Sequence, residues 1–447
     1  MKNYMSYPVM IAKHGMRFFT EGWYFRGDEQ SRNRRNHLFV NYTSTIIANI
    51  IGMSFFTGLL INMGADDGFI GLMAMMPIAA NMLQVFAPLL LERFPQRRKL
   101  LMYGRLFIFI LNIALIGLIP LFPVTQQMRL AMMAAAVLLV NLLNAFFAPG
   151  VSVWFISFTP QSMRARFFSV IMMTNGILAA LAALGAGSFV DMFKARGMEL
   201  TGLQAMRGIA LALALVDFFL VRDMKEYPYE NTGGIKIKQL LVEPFRERLY
   251  LRTVMIAFLW SLTASIPGAY YSVYLLKDLG VSYSFLMIVG FFNVPLLLLL
   301  TPVWERILRR HSWFKTLTIA MGLFLVHYIL LAFVTETTVL FMYPIAVLCA
   351  FMLAPGINLA FANIPYVNIP VKNQTLFIGF YSSLANFGAF VGISIGNGFI
   401  SVTHGRTINL MGVEMGNKQY LMLLVSGAML AAVFLIHLLS RKTEGKA

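Results

Sequence analysis

Residues 145–160 read AFFAPGVSVWFISFTP, and residues 350–365 read AFMLAPGINLAFANIP. Ala148, Pro149 and Gly150 of the first copy fall on Ala354, Pro355 and Gly356 of the second, and Phe155 falls on Phe361. Both copies lie inside long apolar runs. A proline there lacks an amide donor and crowds the preceding turn, so each Pro-Gly pair bends or loosens a helix. A bend that occurs twice in a chain of apolar runs indicates two homologous halves, an organisation that points to transport.

Composition agrees. Only 12% of the 447 residues are charged and 59% are hydrophobic, against about 25% charged in soluble domains. This excludes a soluble fold and makes the lipid bilayer a partner. The net charge of +17 does not indicate nucleic acid, because the basic residues fall between apolar runs rather than along one stripe. A single cysteine, Cys349, excludes an intrachain disulfide and reads as a packing residue. Residues 1–37 hold no uninterrupted apolar core, so no cleavable signal peptide is expected. Within them, residues 8–19 fit either a short interfacial helix or a basic tail.

About 20 apolar residues cross a bilayer. Twelve such spans are expected: 38–62, 69–91, 101–122, 128–158, 167–192, 203–222, 250–276, 284–304, 314–334, 338–365, 375–401 and 419–440. With the N-terminus in the cytoplasm, only Arg129, Lys194, Arg196, Arg207, Lys277, Arg406 and Lys418 of the 36 basic residues fall outside. Both termini are therefore expected inside, and the expected location is a bacterial plasma membrane. The longest connection separates six spans from six. The expected organisation is a cytoplasmic segment 1–37, a bundle 38–222, a linker 223–249, a bundle 250–440 and a tail 441–447. The linker holds either a short surface helix or a flexible strand of chain.

The repeat reaches further. Leu59, Leu60, Met63, Gly64 and Phe69 align with Leu275, Leu276, Leu279, Gly280 and Phe285. Glu92-Arg93 aligns with Glu305-Arg306, and Asn175, Gly185 and Gly187 align with Asn386, Gly396 and Gly398. Four matches in the same order are the mark of duplication.

On these points the chain resembles the major facilitator superfamily over almost its whole length. The family's loop motif G-x-L-x-D-R-x-G-R-R has its counterpart in PLLLERFPQRRK at 88–99, with Glu92 for the aspartate, Arg93 in register and Arg97, Arg98 and Lys99 as the basic run. Pro88 and Pro95 stand where glycines are usual. The resemblance implies an all-α integral membrane fold of twelve transmembrane helices in two pseudo-symmetric six-helix bundles around a central cavity, working by alternating access. It implies that spans one, two, four, five, seven, eight, ten and eleven line the cavity or the moving interface, with three, six, nine and twelve peripheral. It also makes Glu92, Arg93, Arg97, Arg164, Glu305 and Arg306 gating candidates, and the pairs Pro149-Gly150 and Pro355-Gly356 candidate flex points.

The apolar spans hold no paired carboxylates, no metal-ligand spacing and no nucleophile triad, so no enzyme and no cofactor is expected. Neutral amides are the main interior signal: Asn49, Asn81, Gln84, Asn141, Asn144, Asn175, Asn293, Asn358, Asn363 and Asn386. Each either bonds helix to helix or faces a wet cavity. Trp154, Trp260 and Tyr381 offer an apolar face with one polar handle and are added as substrate contacts. Asp217 is the one carboxylate well inside a span. It is either the partner of Arg222 or of a neighbouring loop, or a proton or cation site. No fixed charge is expected in the lining, which favours a neutral polar or amphiphilic small-molecule substrate. The expectation is thus a monomeric secondary transporter. A multidrug or amphiphile exporter and a non-transporting receptor or scaffold are the other readings.

Overall fold

A computed structural model describes residues 29–87, 91, 94, 97–159, 161–226, 244–364, 374–410 and 413–444. Span one is Glu29–Ile51 and Met53–Asn62, and span two is Asp67–Met82. Span three is Arg98–Phe109, continued by a π-turn at Ile110–Leu115. Spans four, five and six are Gln126–Ile156, Gln161–Lys194 and Glu199–Arg222. Span seven is Arg248–Ser265 and Tyr270–Val273 with a π-turn at Tyr274–Asp278, and span eight is Tyr283–Phe291 and Asn293–Arg310. Spans nine to twelve are Trp313–Ala332, Val339–Asn363, Gln374–Val402 and Asn417–Glu444. Among the described residues eleven helical segments are long and apolar enough to cross a membrane, and Asp67–Met82 is a shorter apolar helix. One feature departs from the all-helical expectation: a small hairpin, Ile408–Leu410 paired with Val413–Met415, precedes span twelve. Residues 8–19 and 227–243, Glu92, Arg93 and the side chains of Arg164 and Asn363 lie outside the described residues.

Short polar side chains begin several helices by taking a free backbone amide. Asp66 accepts from Phe69 N at 2.6 Å, Ser282 from Phe285 N at 3.2 Å and Ser312 from Lys315 N at 3.2 Å. Each such cap is worth about 1 kcal/mol. The turns after spans one and seven repeat one another. Gly64 and Gly280, paired by the repeat, both take the left-handed conformation, with φ of 74° and 60°. A side chain there would strain the backbone.

Packing follows the duplication. Span one lies on spans five and six, and span seven lies on spans eleven and twelve. The halves meet through span two against eleven and span five against eight, two pairs that the repeat exchanges. Spans seven and eleven lie backbone against backbone. A Cβ on Gly388, Gly392 or Gly396 would lie 2.6, 2.1 or 2.0 Å from the carbonyl oxygen of Phe258, Leu262 or Ile266. Small residues at every fourth position let two backbones touch where hydrophobic exclusion does not hold helices together.

The Pro-Gly pairs sit inside helices that continue past them. A Cβ on Gly150 would lie 2.8 Å from both Leu91 Cδ1 and Leu101 Cδ2, and one on Gly356 would lie 2.4 Å from Trp304 Cε3. Leu91 and Trp304 each immediately precede a Glu-Arg pair. The repeated glycine is thus the seat on which a large side chain rests, Leu91 beyond span two in one half and Trp304 of span eight in the other.

Candidate functional site

Twelve spans in alternation bring the start and the end of the chain to one end of the bundle, here the terminal end. At the opposite, far end, the two halves are joined by hydrogen bonds and ion pairs. Asp191 at the end of span five accepts from the backbone N–H of Tyr283 at 3.0 Å (Oδ1) and of Ser284 at 2.6 Å (Oδ2). A carboxylate of the first half thus caps a helix of the second, where the helix dipole favours negative charge. The Tyr283 hydroxyl donates to Glu199 Oε1 at 2.8 Å, and its ring stacks on Phe55 at 5.3 Å. Gly58 makes room for it: a Cβ there would lie 1.7 Å from the Tyr283 hydroxyl. A second notch, Gly71, faces the Tyr270 hydroxyl and Asn397 Oδ1, which are themselves bonded at 2.9 Å. Asp67 pairs with Lys277 at 2.9 Å and Lys418 at 2.6 Å, and Lys418 also pairs with Asp278 at 2.7 Å.

Beneath this closure lies a cavity of about 710 Å³, lined by residues of spans one, two, three, four, six, seven and eleven. That size suits a small organic molecule. Its walls are mostly apolar, with Phe56, Met73, Val140 and Ile393 among them. Its polar lining includes Ser44, Asn141, Arg207, Ser265 and Ser272. Spans three and six therefore reach the cavity, against the expectation that they are peripheral. The expectation of an uncharged lining fails at Arg207. Its side chain is 5% exposed overall, and Nη1 donates to the Asn112 carbonyl at 2.7 Å inside the π-turn of span three. A smaller space of about 260 Å³ adjoins on the terminal side, sharing Ser44 and Phe109 and lined by Asn41, Arg105, Asn144 and Ser152.

Asp217 is fully buried. Its partner is Arg105 of span three, not Arg222. Arg105 Nε donates to Oδ2 at 2.7 Å and an Nη to Oδ1 at 2.9 Å, a two-pronged pair. Thr43 Oγ1 of span one donates to Oδ1 at 2.8 Å. Arg105 also donates to Ser44 Oγ at 2.6 Å. Arg222 instead lies 3.8 Å from Asp223, both at the exposed end of span six. Helix geometry explains the difference: five residues along a helix is past one turn, so Asp217 and Arg222 do not face each other.

The other expected contacts scatter. Asn141 lines the large cavity and Asn144 the small one. Asn49, Asn141 and Asn386 each donate to the carbonyl four residues back, at 2.8, 2.8 and 2.9 Å. Asn81, Gln84, Asn293 and Asn358 line neither cavity, and the last three are exposed. Asn175 Oδ1 is buried without a hydrogen-bond partner among the described residues. Trp154 is not at the cavity. It is 1% exposed, donates Nε1 to Lys225 O at 2.8 Å, and packs among Leu91, Leu101, Val221 and Met224. Trp260 packs its ring against Phe324 and Phe361, and Tyr381 lies against the cluster around Tyr250. Among the gating candidates, the backbone N–H of Arg97 donates to Glu226 Oε1 at 2.7 Å, which caps span three. Glu305 and Arg306 are exposed.

The residues missed by sequence reasoning are Arg207, Arg105, Asp191 and Tyr283. For the two arginines a signal existed, since both lie inside apolar runs, where a cation is costly and marks a purpose.

The family profile described as Major Facilitator Superfamily matches residues 38–393. A comparison with curated proteins finds no match. Solved structures with the same fold include a mutant of the nucleoside transporter NupG, at 12% identity and a TM-score of 0.67, covering 91% of this chain and 99% of that one. Another is a POT family transporter in complex with 5-aminolevulinic acid, at 13% identity and a TM-score of 0.65, covering 93% and 96%. A third is a bacterial homologue of the iron transporter ferroportin in an inward-facing state, at 14% identity and a TM-score of 0.65, covering 92% and 98%.

Proposed function

Because the chain belongs to the major facilitator superfamily, whose profile matches residues 38–393, we propose that it is a secondary transporter. It carries a small amphiphilic organic solute across the membrane by alternating access. The observation that carries this reading is the cavity of about 710 Å³, lined by spans of both halves and lying beneath a closure that joins them at the far end. A site shared by two bodies and covered at one end is what a rocking carrier requires. With both termini in the cytoplasm of a bacterial cell, the far end is the outer one. The described state is then closed outward.

In the opposite state the far-end contacts part. The gating candidates Glu92 with Arg164, and Glu305 with Arg306, then close the terminal end. Pro149-Gly150 and Pro355-Gly356 let Leu91 and Trp304 shift on their seats as the halves rock. Asp217 acts as a brace among spans one, three and six, since Arg105 and Thr43 together occupy its oxygens. The carrier works as a monomer.

Counterflow tests the reading. Purified protein in proteoliposomes preloaded with a solute should take up trace labelled solute faster than protein-free vesicles, with saturation. Absence of counterflow across a broad panel of neutral and anionic organic solutes would overturn it.

A further inference from the structure

We propose that Arg207 is an anion site and that the solute is an organic anion, an apolar body carrying a carboxylate or a phosphate. The inference rests on the transporter reading and specifies its substrate class.

Arg207 stands two turns inside span six and reaches across span three. Gly117 opens the way, for a Cβ there would lie 3.0 Å from Arg207 Cδ. The side chain ends in the widened π-turn, where Nη1 donates to Asn112 O at 2.7 Å. A guanidinium has five N–H donors, and this is the one hydrogen bond it makes among the described residues. Among the described residues no Asp or Glu lines the cavity. The neighbouring cation, Arg105, is neutralised by Asp217 through bonds of 2.7 and 2.9 Å. The cavity therefore keeps one positive charge at a side chain 5% exposed. A buried cation without a carboxylate calls for a counter-charge from what occupies the space.

The rest of the lining describes the occupant. Apolar walls take an apolar body, and a volume of about 710 Å³ is far more than an inorganic ion fills. Ser265 and Ser272 of span seven line the same cavity from the other half. A solute held by Arg207 and by these hydroxyls would touch both halves, so its arrival and departure are felt across the moving interface.

The test pairs acids with neutral isosteres on the full-length protein: hexanoate with hexanamide, indole-3-acetate with indole-3-acetamide, and phenyl phosphate with phenol. Thermal stabilisation is titrated first, then counterflow in proteoliposomes. At least one acid is expected to stabilise and exchange while its neutral partner does not, and the carboxylate and phosphate arms separate the two headgroups. Arg207→Gln should weaken the acid by about ten- to hundredfold, and Arg207→Lys should retain part of it. The wild-type comparison needs no variant, so a misfolded Arg207→Gln leaves the test intact. Equal response to acid and neutral partner overturns the anion site, and stabilisation by chloride alone overturns the organic-anion assignment. If neutral solutes exchange and acids do not, the transporter reading stands and the anion site falls. If neither class exchanges, both fall.

Discussion

The Asp191 carboxylate at the end of span five accepts the backbone N–H of Tyr283 at 3.0 Å, so one half of the protein caps a helix of the other. Opening of the far end would break this bond. Asp191→Asn should keep the fold and weaken the closed state by about 1 kcal/mol, roughly fivefold in the closed-to-open ratio. Labelling of a cysteine placed at Ser272, a near-isosteric change in the cavity lining, by a membrane-impermeant maleimide in a Cys349→Ser background would report this as faster modification. An unchanged rate would mean the cap contributes nothing to closure.

Gly58 and Tyr283 form a notch and its occupant. A methyl at Gly58 collides with the Tyr283 hydroxyl, and the ring is held from moving aside by Phe55 and Glu199. Gly58→Ala is expected to cost the closed state about 1–3 kcal/mol. Tyr283→Phe removes the colliding oxygen and should restore part of that loss. The same labelling rate, read for the single and double variants, decides whether the rescue occurs.

Removing one member of a buried ion pair leaves the other uncompensated. Asp217→Ala should lower stability by about 3–5 kcal/mol, because Arg105 then stands alone between spans one, three and six. The double variant Asp217→Leu with Arg105→Leu should lose less than the two single variants summed, as thermal unfolding would measure. As a brace, Asp217→Asn spares counterflow and leaves the dependence of accumulation on a pH gradient unaltered. Loss of pH-driven accumulation with counterflow intact would instead make Asp217 the coupling site for a proton.

The glycine seam between spans seven and eleven should tolerate no side chain. At Gly392 a Cβ would sit 2.1 Å from the Leu262 carbonyl oxygen, a backbone atom that cannot rotate away. Gly392→Ala is expected to separate the two helices and cost about 1–3 kcal/mol, while Gly427→Ala, whose Cβ meets nothing within 4 Å, should be nearly neutral. Melting temperatures of the two purified variants make the comparison.

The architecture was legible because a bilayer demands long apolar runs and the chain carries its repeat openly. Gly64 and Gly280 aligned in sequence and share a left-handed turn. Gly150 and Gly356 aligned and each seats the residue ahead of a Glu-Arg pair. The cavity was far less legible. An asparagine in a helix can satisfy itself on the carbonyl one turn back, as Asn49 does with Thr45, so regularly spaced amides do not mark a wet face. The polar handle of Trp154 suggests a solute contact, yet its indole finds a partner in Lys225, far along the chain. Such long-range pairings leave no local pattern.

Two distances followed together test alternating access most directly. Spin labels at Arg196 and Glu336 report the far end, and labels at Arg222 and Arg310 report the terminal end, all in a Cys349→Ser background. Introducing Gly58→Leu, which fills the notch under Tyr283, should lengthen the first distance and shorten the second. Two distances that stay fixed, or that lengthen together, would contradict a carrier that closes one end as it opens the other.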